Sequence, residues 1–339
     1  MSEAQREGDV AAQSPASSRA RWRKAGSVLG LLIACGAGYG IYVRTRADLP
    51  LVIERVSGAD PGPVLASLLL TLVCIALGGV SWYQVLRAVG ESPPLGECLR
   101  IQSISNLGGY LPGYGWKFVG KGLLSRRMAS TSIVSAAVLV EFISLAASRL
   151  IVSLATLPLA FIRLLGWPAG PWVMVALRLI ALSLLLTFPW VLARFMALLQ
   201  RRNPTRWSLP SIHQGRLLLA LMLMCLTWLI FGLGFALQVR TLDTAVSWAQ
   251  LPMLLFSVTA SFLVSLLTFI VPAGLTIRES VVLFTLGHLL TAPIALAAAV
   301  LGRLVLLSAE LLGAAAAASW SWARSSRRAA RNRSMTLKD

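Results

Sequence analysis

The chain has 339 residues, of which 57% are hydrophobic and 13% are charged, and its mean hydropathy is +0.75. A water-soluble domain averages about 45–50% apolar and about 25% charged residues, so a soluble enzyme with a charged shell is excluded. The net charge of +18 would suggest nucleic-acid binding in a soluble protein. Here the basic residues lie in clusters between apolar runs, which is typical of the loops of a membrane protein, and no nucleic-acid partner is expected.

The amino-terminal part of the chain predicts a polar lead followed by a first membrane span. Residues 1–25 are polar and end in a basic cluster, which predicts a disordered cytoplasmic segment. The apolar run 26–43 would be about 27 Å long as a helix at ~1.5 Å per residue, just enough to cross the hydrocarbon core. Because it is longer than a signal-peptide core and no cleavage site follows, we expect an uncleaved span.

Further apolar stretches of membrane length follow the first span. They lie at 63–89, 132–160, 172–199, 216–239 and 250–271. The region 280–318 contains Pro293, which disfavours helix at the preceding residue and divides a short segment (280–291) from a full span (294–318). The sequence therefore predicts an all-α integral membrane protein with about eight membrane segments, organised as a membrane domain over 26–320 and a basic tail over 321–339.

The distribution of basic residues predicts the orientation of the chain. The amino-terminal cluster, the segment 90–131, the loop 200–216 and the tail together contain 20 Lys and Arg residues, whereas the opposite loops contain five. Lys and Arg are concentrated in short cytoplasmic loops. Both termini are therefore predicted to be cytoplasmic, in the inner membrane.

The segment 105–122, SNLGGYLPGYGWKFVGKG, breaks the pattern of a continuous span. It contains six glycines and a proline, and each glycine costs about 1 kcal/mol relative to alanine in a helix. Irregular backbone at membrane depth is tolerated only where protein or water surrounds it. A re-entrant or broken helix and an interfacial loop rich in aromatic residues are both consistent with this segment.

A second break lies at 270–279, where Pro272 and Gly274 are followed at once by Arg278 and Glu279. The apolar segment that follows is too short to span. Corresponding interrupted segments in two halves of a chain are a sequence signature of a transporter-type site and of an inverted repeat. We therefore expect the two breaks to meet inside the bundle.

Charged residues within the predicted spans point to the same region. Glu141 and Arg149 lie in one span and Arg303 and Glu310 in another. A charge at the bilayer centre costs about 2.5–3.5 kcal/mol even on insertion scales, so such residues face the bundle interior and find partners. Each pair is consistent either with a structural ion pair or with a substrate site.

No pattern in the sequence points to catalysis. There is no nucleophile elbow, phosphate-binding loop or zinc-protease motif. The two histidines, His213 and His288, are far apart and no pair of cysteines has CxxC spacing. No catalytic residue, metal or cofactor is therefore predicted, and an enzyme is not expected.

The two breaks resemble signatures of the membrane domain of the lysylphosphatidylglycerol synthase family. A Pro-Gly loop, a basic position, a downstream arginine and a glutamate in the next span are matched in order by Pro112, Gly113, Lys117, Arg127 and Glu141. A Pro-Gly-type turn, an Arg-Glu pair and an arginine in the last span are matched by Pro272, Gly274, Arg278, Glu279 and Arg303.

The resemblance implies an all-helical membrane protein whose domain translocates lipid, and these ten residues as its lipid site. Aminoacyl transfer belongs to a separate cytosolic domain in that family and is not expected here. The sequence thus favours a stand-alone, flippase-like protein that binds and translocates an anionic or glycosylated lipid. Lys117, Arg278 and Arg303 would engage a phosphate, and Glu141 and Glu279 would hold those bases or a cationic headgroup.

Two other functions are consistent with the sequence. The chain is alternatively a non-transporting membrane subunit that presents a lipid-linked substrate to a separate glycosyltransferase. It is also consistent with a membrane-embedded transferase.

Overall fold

A computed structural model describes the helical part of the chain. The described residues are 49–110, 115–168, 170–202, 212–267 and 277–336. Within them the fold is all-helical, without strands. The α-helices are α1 (Leu49–Ser57), α2 (Pro61–Ala88), α3 (Leu95–Leu107), α4 (Trp116–Ser125), α5 (Thr131–Thr156), α6 (Leu159–Leu164), α7 (Pro171–Arg202), α8 (Gln214–Leu242), α9 (Leu251–Leu267), α10 (Ile277–Leu286) and α11 (Ala292–Thr336).

Six helical segments among the described residues are long and apolar enough to cross a membrane. They are α2, α5, α7, α8, Trp248–Leu267 (a 3₁₀ turn and α9) and Ala292–Arg324 of α11. The all-α, multi-pass prediction is therefore confirmed. The predicted first span, 26–43, lies outside the described residues, and the predicted short segment 280–291 coincides largely with α10. The count of eight segments stays a prediction.

Two long helices, α2 and α8, form the most extensive helix pair and run antiparallel. The backbone N–H of His213, just before α8, donates to the carbonyl of Ala88 at the end of α2 over 2.9 Å. At the other end, the Gln238 amide donates to the Ser67 hydroxyl. The carboxyl end of α2 and the amino end of α8 therefore lie on the same side of the bundle.

The helices α3 and α4 form a first hairpin. A Cβ placed on Gly108 would lie 3.0 Å from the backbone oxygen of Trp116, and Gln102 accepts a hydrogen bond from Lys121 over 2.5 Å. Residues earlier in α3 thus contact residues later in α4, so the two helices are antiparallel. The segment 105–122, for which the sequence left two alternatives, contains the turn of this hairpin.

The first hairpin enters the bundle from the side on which α2 ends. Gly79 packs directly on Leu99, and Gly78 packs on Gln102, about 15 Å from the end of α2 at ~1.5 Å per residue. The last turn of α3 lies about 9 Å deeper, near the midpoint of α2. The first hairpin thus enters and leaves the bundle on one side and reaches about the midpoint of α2.

The helices α9 and α10 form a second hairpin. The hydroxyls of Ser257 and Thr285 are 2.6 Å apart, and Arg278 lies 3.6 Å from the ring centroid of Phe262. These pairs make α9 and α10 antiparallel. Because Gly232 of α8 packs on Leu255 of α9, the second hairpin enters from the side on which α8 ends.

The two hairpins therefore enter the bundle from opposite sides and meet in its middle. Each follows a long helix (α2 or α8) and precedes another (α5 or α11), and α2 and α8 are antiparallel. The units α2–α5 and α8–α11 thus have inverted topology, as the paired breaks in the sequence suggested.

The last helix is much longer than a membrane requires. The 45 residues of α11 span about 67 Å at ~1.5 Å per residue, against about 30 Å for the hydrocarbon core. The predicted boundary at 321 is not a structural break, because the helix continues without interruption to Thr336.

Candidate functional site

A cavity of about 170 Å³ lies where the two hairpins meet. Its walls come from α2, α3, α4, α5, α8, α9, α10 and α11. Among its lining residues, Glu141 is about 15 Å from the start of α5 and Trp228 about 21 Å from the start of α8 at ~1.5 Å per residue, so the cavity is at the middle of the spans. The charged residues that line it are Lys117, Glu141, Arg149, Arg278, Arg303 and Glu310.

A buried ion pair supports the wall on the side of the first hairpin. The Lys121 ammonium donates to Glu141 Oε1 and, over 2.5 Å, to Gln102 Oε1. It also lies 4.8 Å from the ring centroid of Trp82. Since Lys121 is fully buried and Glu141 is 2% exposed, each charge depends on the other for its compensation.

Lys121 is the main residue that the sequence analysis missed. It was counted among the basic residues of the segment 90–131, because a lysine in a glycine-rich stretch between spans is typical of a loop. The available signal was its position four residues after Lys117, which places both on one face if the stretch is helical. The re-entrant α4 brings that face against α5.

A second ion pair lies on the side of the second hairpin. Arg303 Nη1 of α11 donates to Glu279 Oε1 of α10 over 2.7 Å. The sequence left Glu141, Glu279 and Glu310 open as partners for Arg303, and in the structure the ion pair of Arg303 is with Glu279. Arg303 and Glu310 are about 10 Å apart along the helix axis at ~1.5 Å per residue, whereas α10 folds back on α11 and places Glu279 opposite Arg303.

Among the described residues, Arg149 forms no ion pair with a carboxylate. Its side chain is 3% exposed, and its guanidinium carbon lies 4.9 Å from the ring centroid of Trp228. Among the described residues, neither Nε nor Nη1 of Arg149 has a hydrogen-bond partner, although both are buried. A buried guanidinium stays charged and carries a desolvation cost that a ligand or water would offset.

An aromatic cluster forms the apolar wall of the cavity. The rings of Trp228, Phe231 and Phe262 are 5.0 to 5.9 Å apart, in tilted and edge-to-face contacts. Arg149 lies over Trp228 and Arg278 lies over Phe262. Cation–π contacts of this kind fix the plane of a guanidinium.

An acidic residue and a tyrosine form another part of the cavity wall. The Tyr110 hydroxyl, at the turn of the first hairpin, is in hydrogen-bond contact with the Glu310 carboxylate of α11. This contact joins the first hairpin to the last helix of the second unit.

The entrance of the first hairpin carries a separate, more exposed ion pair. Arg100 donates to Glu97 within α3 over 2.5 Å. This hydrogen bond is the main reason that the pKa of Glu97 is below its usual value. The pair lies outside the cavity and stabilises the first turns of α3.

The structure brings together five of the six predicted site residues that lie in the described part of the chain. Lys117, Glu141, Arg278 and Arg303 line the cavity, and Glu279 is bound to Arg303. Arg127 is exposed in the loop after α4 and does not line the cavity, because α4 ends before it. Four further predicted residues lie outside the described part of the chain: Pro112, Gly113, Pro272 and Gly274.

The charges around the cavity favour an anionic ligand. With every group ionised, five cations surround it or support its walls, against three carboxylates. The cations are Lys117, Lys121, Arg149, Arg278 and Arg303, and the carboxylates are Glu141, Glu279 and Glu310. Cationic groups beside an aromatic wall suit an amphipathic molecule with a negatively charged head.

Comparison with known proteins gives one clear result. A family model described as the lysylphosphatidylglycerol synthase TM region matches residues 27–313. The match includes both hairpins and every residue that lines the cavity. No curated protein sequence shows significant similarity to the chain.

Proposed function

Since this chain belongs to the family of lysylphosphatidylglycerol synthase TM regions, we propose that it binds an anionic or glycosylated lipid and translocates the lipid headgroup across the bilayer. The observation that carries the proposal is the charged cavity at the middle of the bundle. It lies between two hairpins that enter from opposite sides, near the midpoints of the long helices that line it.

The physical argument concerns the cost of moving a polar headgroup through hydrocarbon. A charged group at the bilayer centre is expensive unless protein groups replace its hydration. Lys117 and Arg278 offer charged donors to a phosphate, and the aromatic cluster offers contacts to glycerol or sugar carbons. A headgroup held there is halfway across, and the acyl chains remain in the surrounding lipid.

Both termini are proposed to be cytoplasmic, in the inner membrane. The basic asymmetry of the loops supports this orientation. The contact between His213 and Ala88 and the close approach of Gly96 to Trp320 support it further. They put the carboxyl end of α2, the amino end of α8, the start of α3 and the distal part of α11 on one side, which is the side of the basic loops.

Translocation is tested with purified protein in liposomes that contain phosphatidylglycerol labelled on an acyl chain. An impermeant reductant quenches only label in the outer leaflet, so about half of the signal survives in protein-free liposomes. We expect wild type to expose nearly all of the label, and Arg278→Gln to slow the process at least tenfold. The matched control is Arg178→Gln, an exposed arginine of α7 outside the cavity, which should match wild type.

A plateau at half quenching with correctly folded wild type would contradict translocation. It would favour the second candidate, a subunit that presents lipid to a separate glycosyltransferase. The length of α11 supports that candidate, because about 18 Å of helix continues past Arg324 at ~1.5 Å per residue and offers a surface for a partner. Co-purification of a stoichiometric glycosyltransferase that depends on residues 325–336 would establish it.

A further inference from the structure

We infer that the cavity holds a phosphate group between Arg149 and Arg278, on the aromatic cluster of Trp228, Phe231 and Phe262. The inference rests on the proposed function for the source of the phosphate, which is a phospholipid headgroup. It goes further by assigning Arg149, which the sequence analysis did not include in the lipid site, to the recognition of that phosphate together with Arg278.

The first argument is the state of Arg149. The residue is 97% buried and lines the cavity, yet two of its three guanidinium nitrogens have no hydrogen-bond partner among the described residues. Arginine does not lose its proton in proteins, so the site keeps its positive charge. A buried cation with open donors is the form of site that an anion completes.

The second argument is that two of the three carboxylates around the cavity, Glu141 and Glu279, are paired with other cations. Glu141 lies on the same helix as Arg149, about 12 Å away along the axis at ~1.5 Å per residue, and is paired with Lys121. Glu279 is paired with Arg303. Neither acid therefore neutralises Arg149, and the positive charge is available to a ligand.

The third argument is the position of Arg278. Arg149 and Arg278 come from opposite halves of the chain, on α5 and α10, and both lie over rings of one aromatic cluster. Trp228 and Phe262, the two rings beneath them, are 5.0 Å apart. Both guanidiniums line the same cavity, so an anion bound there interacts favourably with both.

A phosphate fits this arrangement better than a carboxylate. A carboxylate presents two oxygens in one plane, which matches one guanidinium. A phosphate diester has non-bridging oxygens in tetrahedral directions and accepts hydrogen bonds from two guanidiniums at once. Lys117, which also lines the cavity, adds a charge without a directional requirement.

The test compares two lipids that differ only in the phosphoglycerol group. Full-length protein in detergent is titrated with dioleoylphosphatidylglycerol, with dioleoylglycerol and with inorganic phosphate, and binding is followed by native mass spectrometry and thermal unfolding. We expect wild type to bind the phospholipid at least tenfold more tightly than the diacylglycerol. Arg149→Gln and Arg278→Gln should each remove most of this preference, and Arg178→Gln should retain it.

The ligand-free melting temperature separates a binding role from a structural one. If Arg149 exists for a ligand, Arg149→Gln removes an uncompensated buried charge, and the melting temperature should stay the same or rise. A clear fall would assign Arg149 a structural role and overturn the inference. Retention of the full phospholipid preference in Arg149→Gln would also overturn it.

The probes distinguish failure of the inference from failure of the proposed function. If Arg149→Gln keeps the preference and still translocates lipid, the phosphate site is wrong and the function stands. If inorganic phosphate binds wild type but not Arg149→Gln, while phosphatidylglycerol neither binds nor moves, the anion site is correct and lipid translocation is wrong.

Discussion

The two hairpins use the same arrangement with the charges reversed. In the first, a base on the short helix (Lys121) pairs with an acid on the following span (Glu141); in the second, an acid on the short helix (Glu279) pairs with a base (Arg303). The first pair is fully buried and is called the sealed pair here, because its side chains are 1% and 3% exposed. The second is called the accessible pair, because its side chains are 28% and 17% exposed. We infer that the first hairpin is a fixed wall of the cavity and the second is its accessible side.

The largest expected effect is the loss of the sealed pair. Glu141→Ala strands the buried Lys121 ammonium, and we expect a loss of about 3–5 kcal/mol in the free energy of unfolding. The double variant Lys121→Met with Glu141→Leu should recover most of that loss, since no unpaired charge remains. Equilibrium unfolding in mixed micelles measures both. Equal stability of Glu141→Ala and wild type would contradict the sealed pair.

An intermediate effect is expected from the close helix contacts of the hairpins. A Cβ on Gly79 would lie 2.8 Å from Cα of Leu99, so α3 itself must move, and Gly79→Ala should cost about 1–3 kcal/mol. A Cβ on Gly232 meets first the end of the Leu255 side chain, which can rotate away. Gly232→Ala should therefore cost less. The reverse order of melting temperatures would show that the first hairpin is not the more rigid one.

The smallest effect on stability is expected from the accessible pair. Because Glu279 and Arg303 are partly exposed, the double variant Glu279→Gln with Arg303→Gln should cost about 0–1 kcal/mol. The rate of lipid translocation should change severalfold, since the pair joins α10 to α11 beside the cavity. Reductant quenching in liposomes measures the translocation rate, and unfolding of the same preparations measures the stability. A large loss of stability with an unchanged translocation rate would contradict this comparison, because it would show that the second hairpin is a fixed wall of the cavity, as the first is.

The helices and the two breaks were predictable from the sequence, because apolar length and glycine and proline content are local properties. The re-entrant character of 105–122 remained one of two alternatives, since the side on which α3 enters depends on its packing against α2. The partners of the charges were only partly predictable: Glu279 was among the acids expected to hold Arg303, whereas Lys121 was not expected at the site. Glu279 meets Arg303, and Lys121 meets Glu141, only because short helices fold back on the spans that follow them.

Because α11 is long and continuous, a small tilt at one end would move its other end a large distance. About 50 Å of uninterrupted helix separates Arg303, beside the cavity, from Thr336 at ~1.5 Å per residue. A rigid tilt of 10° about Arg303 would move the far end by about 9 Å, more than the width of a headgroup. A change in the Glu279–Arg303 contact deep in the membrane would thus be visible outside it, where distance measurements from a probe at position 336 would record the state of the cavity.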